Sequence, residues 1–127
     1  MSTFYVPLQL ADLRGSRWEQ VDALVDTGSS FTSASRGLLE RLGIRPVRRQ
    51  PFKLADGRVA ESDVGYAMVR LVDMEGPTPV IFGEPDEEPL LGAVTLESFL
   101  LAVDPVNERL ISVLGLRMRR RGPRSAI

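Results

Sequence analysis

Residues 23–33 read ALVDTGSSFTS, and this stretch decides how the rest of the chain can be organised. An apolar run delivers Asp26 into a turn made of Thr, Gly and Ser residues. Such a run is typical of a buried strand. Small hydroxyl residues around the carboxylate can hold it in place through local hydrogen bonds. The stretch therefore predicts a buried strand that ends in a functional turn.

Length and composition bound the remaining possibilities. A chain of 127 residues fits one domain with a modest core, and its 43% hydrophobic and 26% charged residues are ordinary for a soluble globular protein. It has no apolar run of the roughly 18–20 residues that a membrane span needs and no signal-peptide pattern at residues 1–4. We therefore expect a cytoplasmic protein that does not enter a membrane.

The residues that the chain lacks exclude several kinds of active site. There is no His and no Cys, so Ser-His-Asp and Cys-His machineries cannot be built within it. Zinc sites based on thiolate or imidazole ligands are excluded as well. Proton transfer would have to depend mainly on Asp, Glu, Lys and Tyr side chains. We therefore expect neither a metal nor another cofactor.

The chain as a whole reads as mainly β, with about seven or eight short strands and two short helices. Asp56-Gly57 is a two-residue turn signal between two strand-like segments and predicts a hairpin. In chain order we predict strands at 3–10 and 17–25, a helix from a cap at 33–35 through 42, an irregular connector at 45–51, strands at 64–72 and 78–82, a helix at 95–100, and strands at 101–103 and 109–114.

A second apolar-apolar-Gly element, Leu90-Leu91-Gly92, follows the Asp-Thr-Gly triplet and opens a short helix. The strands at 3–10 and 17–25 read as a first hairpin that leads into the Asp26 turn. In combination with this hairpin and the one at Asp56-Gly57, the order resembles the retropepsins, the single-domain aspartic peptidases of retroviruses and their relatives, and especially prokaryotic members. The resemblance covers nearly the whole chain. It implies a closed or partly open small β-barrel with one or two short helices, assembled as a homodimer. We assign residues 1–116 to this domain and 117–127 to a basic, flexible tail.

The resemblance also assigns roles in the turn. Two copies of Asp26, one from each subunit, would act as general base and general acid in peptide-bond hydrolysis, because two close carboxylates share one proton. Thr27 would hydrogen-bond across the interface, and Gly28 would let the backbones approach. Ser29 would donate to the carboxylate and favour its charged form, so we expect an acid-shifted activity optimum.

By the same resemblance, the Asp56-Gly57 hairpin would be a flap that closes over a peptide or protein substrate. The ordinary alternative is an exposed hairpin without a function. Leu90 would form a wall of a substrate subsite, although simple core packing explains it equally well. The predicted flap residues are Leu54, Ala55, Asp56, Gly57 and Arg58.

Three other functions compete with the peptidase. The domain could be a retropepsin fold that binds peptides or dimerises without catalysis, although nothing in the triplet looks degraded. Asp-x-Gly-Ser after a strand also resembles the phosphate-binding turn of actin-like and sugar-kinase ATPases, which need a much longer chain. The basic tail could contact nucleic acid, but no aromatic residues are interleaved for base stacking, so we expect a solvated tail and no nucleic-acid partner. Its arginines are Arg117, Arg119, Arg120, Arg121 and Arg124.

Overall fold

The computed structural model describes residues 3–119. Within them the chain forms nine strands and two six-residue helices, so the prediction of a mainly β protein is confirmed. In chain order the elements are β1 Tyr5–Ala11, β2 Glu19–Val25, β3 Thr32–Ser35, α1 Arg36–Arg41, β4 Arg48–Lys53, β5 Val59–Leu71, β6 Met74–Gly83, β7 Leu90–Leu91, α2 Ala93–Ser98, β8 Leu101–Asp104 and β9 Arg109–Ser112.

Six of the described strands close into a small barrel in the order β1, β2, β7, β3, β6, β5. The barrel closes because β1 pairs with β2 on one side and with β5 on the other, where Gln9 lies opposite Arg70. Strand β4 lies outside this ring, beside β5, and β8 and β9 form a separate two-stranded sheet. The predicted small barrel with short helices is thus the observed architecture.

The first hairpin leads the chain into the Asp26 turn, as the sequence predicts. Its turn is fixed by Asp12, whose carboxylate accepts a hydrogen bond from the Ser16 backbone N–H at 2.9 Å. Gly15 adopts a φ of +65°, a conformation that glycine reaches without strain. Strand β2 then returns antiparallel to β1 and ends at Val25, one residue before Asp26.

The barrel encloses an apolar core to which both helices contribute. In α1, Ser35 caps the N-terminus by accepting the Leu38 N–H at 3.3 Å, and Leu38 and Leu39 are buried. Each such fully buried side chain contributes about 1.5–3 kcal/mol of hydrophobic stabilisation. The largest fully buried apolar residues are Leu8, Leu10, Leu39, Leu71, Leu91, Val64, Val69 and Val80.

The long strands β5 and β6 extend further than the sequence suggests. The predicted strand at 64–72 lies within β5 except for its last residue, and β5 already begins at Val59. The predicted strand at 78–82 lies within β6, which begins at Met74. The two strands pair up to Leu71 and Met74, so residues 72 and 73 form the turn between them. Gly76 and Pro77, which come directly before the predicted strand at 78–82, belong to β6.

The connector predicted at 45–51 is wrong in its second half. Residues from Arg48 onward form β4, which pairs antiparallel with β5 from Arg48 opposite Val64 to Lys53 opposite Val59. This strand is not recognised from the sequence, because its three charged residues and Pro51 leave little of the apolar alternation by which strands are predicted. Strand β4 is an edge strand, where charged side chains and proline are tolerated.

Two boundaries near the C-terminus also differ. Helix α2 spans Ala93–Ser98, two residues earlier than predicted, and Leu100 has a φ of +54° that ends the helical path. Strand β9 ends at Ser112, opposite Leu101, the first residue of β8. The next amide, Val113 N–H, still donates to Leu100 O at 2.9 Å in the same register, but Leu100 with its positive φ lies outside β8. Neither of the two helices is long and apolar enough to cross a membrane within the described part.

The division into a domain at 1–116 and a basic tail stays a prediction. Arg117 and Arg119 are exposed at the end of the described chain. The other three arginines of the predicted tail lie outside the described residues.

Candidate active site

Asp26 lies at the end of a strand that the barrel fixes on both sides. Strand β2 pairs with β1 and, in parallel, with β7, where Val25 lies opposite Leu91. The ladder continues into the turn, because Asp26 N–H donates to Leu91 O at 3.0 Å. The backbone that carries the carboxylate is therefore part of the barrel, while the side chain is half-buried.

The turn itself holds the carboxylate. Gly28 N–H donates to Asp26 Oδ1 at 2.9 Å, and Ser29 N–H donates to Asp26 O at 3.1 Å. A Cβ on Gly28 would lie 3.2 Å from Asp26 Oδ1, so any other residue here would crowd the carboxylate. Thr27 and Gly28 are exposed at the tip of the turn. The sequence predicts this arrangement of Asp26, Thr27 and Gly28 at the end of a buried strand.

Ser29 does not make the hydrogen bond that we predicted for it. Its hydroxyl donates to Phe31 O at 3.1 Å, within the turn, instead of to the Asp26 carboxylate. The backbone N–H of Gly28 is the donor to that carboxylate. Ser29 also anchors the turn through its carbonyl, which accepts the Ala93 N–H of α2 at 2.8 Å. Ser29 thus supports the shape of the turn and does not act on the carboxylate directly.

A buried chain of three threonines joins the turn to the rest of the barrel. Thr32 Oγ1 lies 2.6 Å from Thr95 Oγ1, which lies 2.7 Å from Thr78 Oγ1. Thr32 also accepts the Gly92 N–H at 3.1 Å. All three side chains are buried and come from β3, β6 and α2. Sequence reasoning missed this network, because its three members lie far apart in the chain.

Gly92 has a steric reason for its place in the Leu90-Leu91-Gly92 element. A Cβ there would lie 2.5 Å from the Phe31 carbonyl carbon and 2.9 Å from Ser29 O. Only glycine therefore lets the start of α2 approach the Asp26 turn this closely. Leu90 is half-buried and lies between β2 and β3, opposite Leu24 and Ser33. This position is compatible with both readings of Leu90, the subsite wall and the core residue.

The Asp56-Gly57 hairpin forms where the sequence predicts it. Asp56 accepts two hydrogen bonds from Arg58, from the backbone N–H at 3.0 Å and from Nε at 2.7 Å, and these bonds hold the pKa of Asp56 below its usual value. Gly57 has a φ of +89°, which the turn requires. The tip, residues 54–58, is exposed. Its turn is held by the local hydrogen bonds between Asp56 and Arg58.

The hairpin contacts the Asp26 turn through two aromatic residues that sequence reasoning missed. Phe31 follows the turn and Phe52 lies on β4, and their rings meet edge-on with centroids 5.6 Å apart. Both side chains are half-buried. Phe52 lies opposite Ala60, so both face the same side of the hairpin. The hairpin is thereby placed against the loop that carries Asp26.

Among the described residues, no group of three or more Asp or Glu side chains comes together as a metal ligand set would. The chemistry that the arrangement offers directly is that of a carboxylate. Asp26 accepts a backbone hydrogen bond on one oxygen and is partly open to solvent. Such a group can accept or donate a proton and can orient a water molecule.

Comparisons with known proteins agree with this geometry. Residues 17–98 match the family model described as "gag-polyprotein putative aspartyl protease". This match includes the Asp26 turn, the Asp56-Gly57 hairpin and the Leu90-Leu91-Gly92 element. The chain matches none of the curated proteins.

Solved structures of similar fold come from viruses, a protozoan and bacteria. The EIAV protease bound to the inhibitor HBY-793 aligns with a TM-score of 0.58 at 13% identity, over 87% of this chain and 93% of that one. The retroviral protease-like domain of Ddi1 from Leishmania major aligns at 0.57 and 20% identity, over 88% and 89%. A retropepsin-like aspartic protease from Rickettsia conorii aligns at 0.50 and 19% identity, over 81% and 88%. At these identities the similarity shows the fold.

Proposed function

The chain belongs to the gag-polyprotein aspartyl protease family, and from that membership we propose that it is an aspartic endopeptidase whose active centre forms between two copies of the chain. The observation that carries the proposal is the geometry of Asp26. A single carboxylate stands at the end of a barrel strand, hydrogen-bonded to Gly28 N–H and partly open to solvent. The family membership and the fold support a hydrolase of this type.

One Asp26 cannot perform the reaction alone. The attacking water must lose a proton while the peptide carbonyl oxygen gains one, and two carboxylates that share a single proton can do both. This logic is the general one for aspartic proteases. The chain has one Asp-Thr-Gly triplet, so the second carboxylate would come from a second copy across a two-fold axis. The homodimer is therefore a requirement of the proposed mechanism.

In this mechanism the two Asp26 side chains hold a water molecule between them. One carboxylate accepts a proton from that water as it attacks the peptide carbonyl carbon, and the other donates a proton to the carbonyl oxygen. The resulting tetrahedral intermediate then collapses, with proton transfer to the departing amine. No acyl-enzyme forms, and the reaction consumes only water. Thr27 would form a hydrogen bond with the Asp26 turn of the second copy.

The exposed surface of the chain supports a dimer. Thr27 and Gly28 lie exposed at the tip of the turn, where a two-fold partner could reach them. Beyond β9, Leu114, Leu116 and Met118 are 98%, 92% and 88% exposed and alternate with glycine and arginine. Alternation of this kind is typical of a strand that buries one face. We propose that a second copy covers these residues.

A substrate would lie between the turn and the hairpin. We propose that residues 54–58 close over it and that Leu90, Phe31 and Phe52 contribute to its binding surface. The apolar character of these last three residues suits the side chains of an extended peptide. Cytoplasmic residence stays an expectation.

The proposal is tested by incubating the protein with unfolded casein and a peptide library across an acidic-to-neutral pH series. The matched control is Asp26→Asn, which keeps an oxygen for the Gly28 N–H but cannot act as an acid or base. Cleavage by the natural protein and none by the variant supports the peptidase. Cleavage that survives in the variant contradicts it.

The same experiment tests the alternative that the barrel binds peptides without cleaving them. In that case both proteins would retain a library peptide with equal affinity, and neither would release fragments. One observation leaves room for this outcome: the fold is shared with the Leishmania major Ddi1 domain, which is described as retroviral protease-like.

A further inference from the structure

The β4–β5 hairpin leaves the barrel at a definite point. Strand β5 pairs with β6 from Leu71 back to Val64, which lies opposite Ile81. The preceding residues, from Val59 to Asp63, pair with β4. Asp63 thus lies at the base of the projecting hairpin, directly before Val64, where the pairing of β5 with β6 begins.

The side chain of Asp63 joins three elements at this point. Its Oδ2 accepts from Arg36 Nη2 of α1 at 2.6 Å, and its Oδ1 accepts from Arg49 Nη1 of β4 at 3.1 Å. The Asp63 side chain is 17% exposed, against 41% for Arg36 and 60% for Arg49. The hydrogen bond from Arg36 is the largest cause that holds the pKa of Asp63 below its usual value, and the positive charges of Arg36 and Arg49 act in the same direction.

The α1 side of this contact is firmly held. Arg36 is the first residue of α1, directly after the Ser35 cap, and its guanidinium carbon lies 5.0 Å from the centre of the Phe82 ring. Arg36 Nη1 also lies 3.7 Å from Glu40 Oε2. The helix is anchored to the core by Leu38 and Leu39. Arg36 therefore offers Asp63 a fixed partner on the barrel.

The backbone around the junction is close-packed. Val47 N–H donates to Val64 O at 2.7 Å, and a Cβ on Gly65 would lie 2.7 Å from Arg45 O. The connector between α1 and β4 therefore crosses β5 immediately beside Asp63. Movement of the hairpin relative to the barrel must take place at or beyond this crossing, because the backbone behind it has no free space.

We propose that Asp63 is a positioning residue that clamps the base of the β4–β5 hairpin to α1 and so sets how closely the hairpin lies over the Asp26 turn. Phe52, which contacts Phe31, lies on the same hairpin and pairs with Ala60, three residues from Asp63. Loosening the base therefore loosens the contact with the turn. Only the consequence for substrate rests on the proposed peptidase function; the clamp rests on the contacts.

Hydrogen exchange of backbone amides tests the clamp without any need for activity. In Asp63→Asn we expect the amides of residues 48–63 to exchange about tenfold faster, because a charge-assisted hydrogen bond is lost. The amides of β1 and β2 should keep their rates. The matched control is Asp12→Asn, the same change in the β1–β2 turn, which should leave the hairpin amides unchanged.

Three further variants keep the test decisive if Asp63→Asn folds poorly. Arg36→Gln breaks the same link from the α1 side and should produce the same faster exchange in the hairpin. The double variant should add little to either single change, because both remove one interaction. Asp63→Glu keeps the charge and should stay within about threefold of the natural protein.

Unchanged hairpin exchange in both Asp63→Asn and Arg36→Gln would overturn the proposal. An equal acceleration in every strand would overturn it too, because that pattern indicates a structural role in the whole barrel. If the protein cleaves peptides, Asp63→Asn should raise KM by a larger factor than it lowers kcat. Failure of the Asp26→Asn comparison would refute the peptidase while leaving the exchange result to decide the clamp.

Discussion

Replacing Thr95 by valine tests how the buried threonine chain supports the active-site turn. Thr95 is the central member, 2.6 Å from Thr32 and 2.7 Å from Thr78 between hydroxyl oxygens, and it is fully buried. Valine has nearly the same shape, so the packing of α2 is kept while both hydrogen bonds are lost. Thr32 and Thr78 would each lose a hydroxyl partner in a place that water does not reach.

The expected loss follows from that geometry. Leaving a buried polar group without a partner costs about 1–3 kcal/mol, which is a large share of the roughly 5–15 kcal/mol that stabilises a domain. We therefore expect Thr95→Val to lower the free energy of unfolding by about 1–3 kcal/mol. Thr78→Val is the matched control: Thr78 ends the hydroxyl chain, so its replacement leaves Thr95 bonded to Thr32 and should cost less.

Urea unfolding of the two single variants and the double variant measures these values. We expect the double variant to be more stable than the sum of the two single losses implies, because each substitution removes the same hydrogen bond between Thr78 and Thr95. Equal losses for Thr95→Val and Thr78→Val, with strict additivity, would refute the reasoning. So would a loss below about 0.5 kcal/mol for Thr95→Val, the level of an ordinary surface substitution.

Three further outcomes are expected. Gly92→Ala should lower the free energy of unfolding by about 2 kcal/mol or more in urea titrations, because its Cβ would meet Phe31 at 2.5 Å; full stability would contradict the packing. Gly28→Ala should keep the fold by circular dichroism and reduce peptide cleavage roughly tenfold or more, because its Cβ lies 3.2 Å from Asp26 Oδ1; unchanged kcat/KM would contradict this. Asp63 has a lowered pKa, with the hydrogen bond from Arg36 as the main cause, so its stabilising contribution is complete above the usual carboxyl pKa and is lost as pH falls through the lowered value. The difference in free energy of unfolding between the natural protein and Asp63→Asn should therefore narrow below about pH 4 in urea titrations. A difference that stays constant with pH would contradict this.

Local patterns made the strand before Asp26 and the Asp56-Gly57 hairpin predictable from the sequence. An apolar run that ends in Asp-Thr-Gly and a two-residue turn signal each specify their structure over a few neighbouring residues. The order of these elements, with Leu90-Leu91-Gly92, then made the barrel predictable through resemblance. The edge strand β4 was missed, because its charges and Pro51 suit an exposed edge and show little apolar alternation.

The interactions that position the site join residues far apart in the chain. Thr32 and Thr95 are 63 residues apart, and Arg36 and Asp63 are 27 apart, so no local pattern indicates either contact. The hydroxyl of Ser29 shows the limit at short range as well. Both the Asp26 carboxylate and the Phe31 carbonyl lie within reach of such a side chain, and only the folded turn decides between them.

The central claim, that each active centre needs Asp26 from two copies, is tested most directly by mixing subunits. Natural protein and Asp26→Asn are unfolded together in equal amounts and refolded at constant total concentration, and peptide cleavage is measured. If the two proteins pair at random and a mixed dimer is inactive, activity falls to about a quarter of that of the natural protein alone. Activity of about a half, which is the dilution expected when every chain works by itself, would contradict the account.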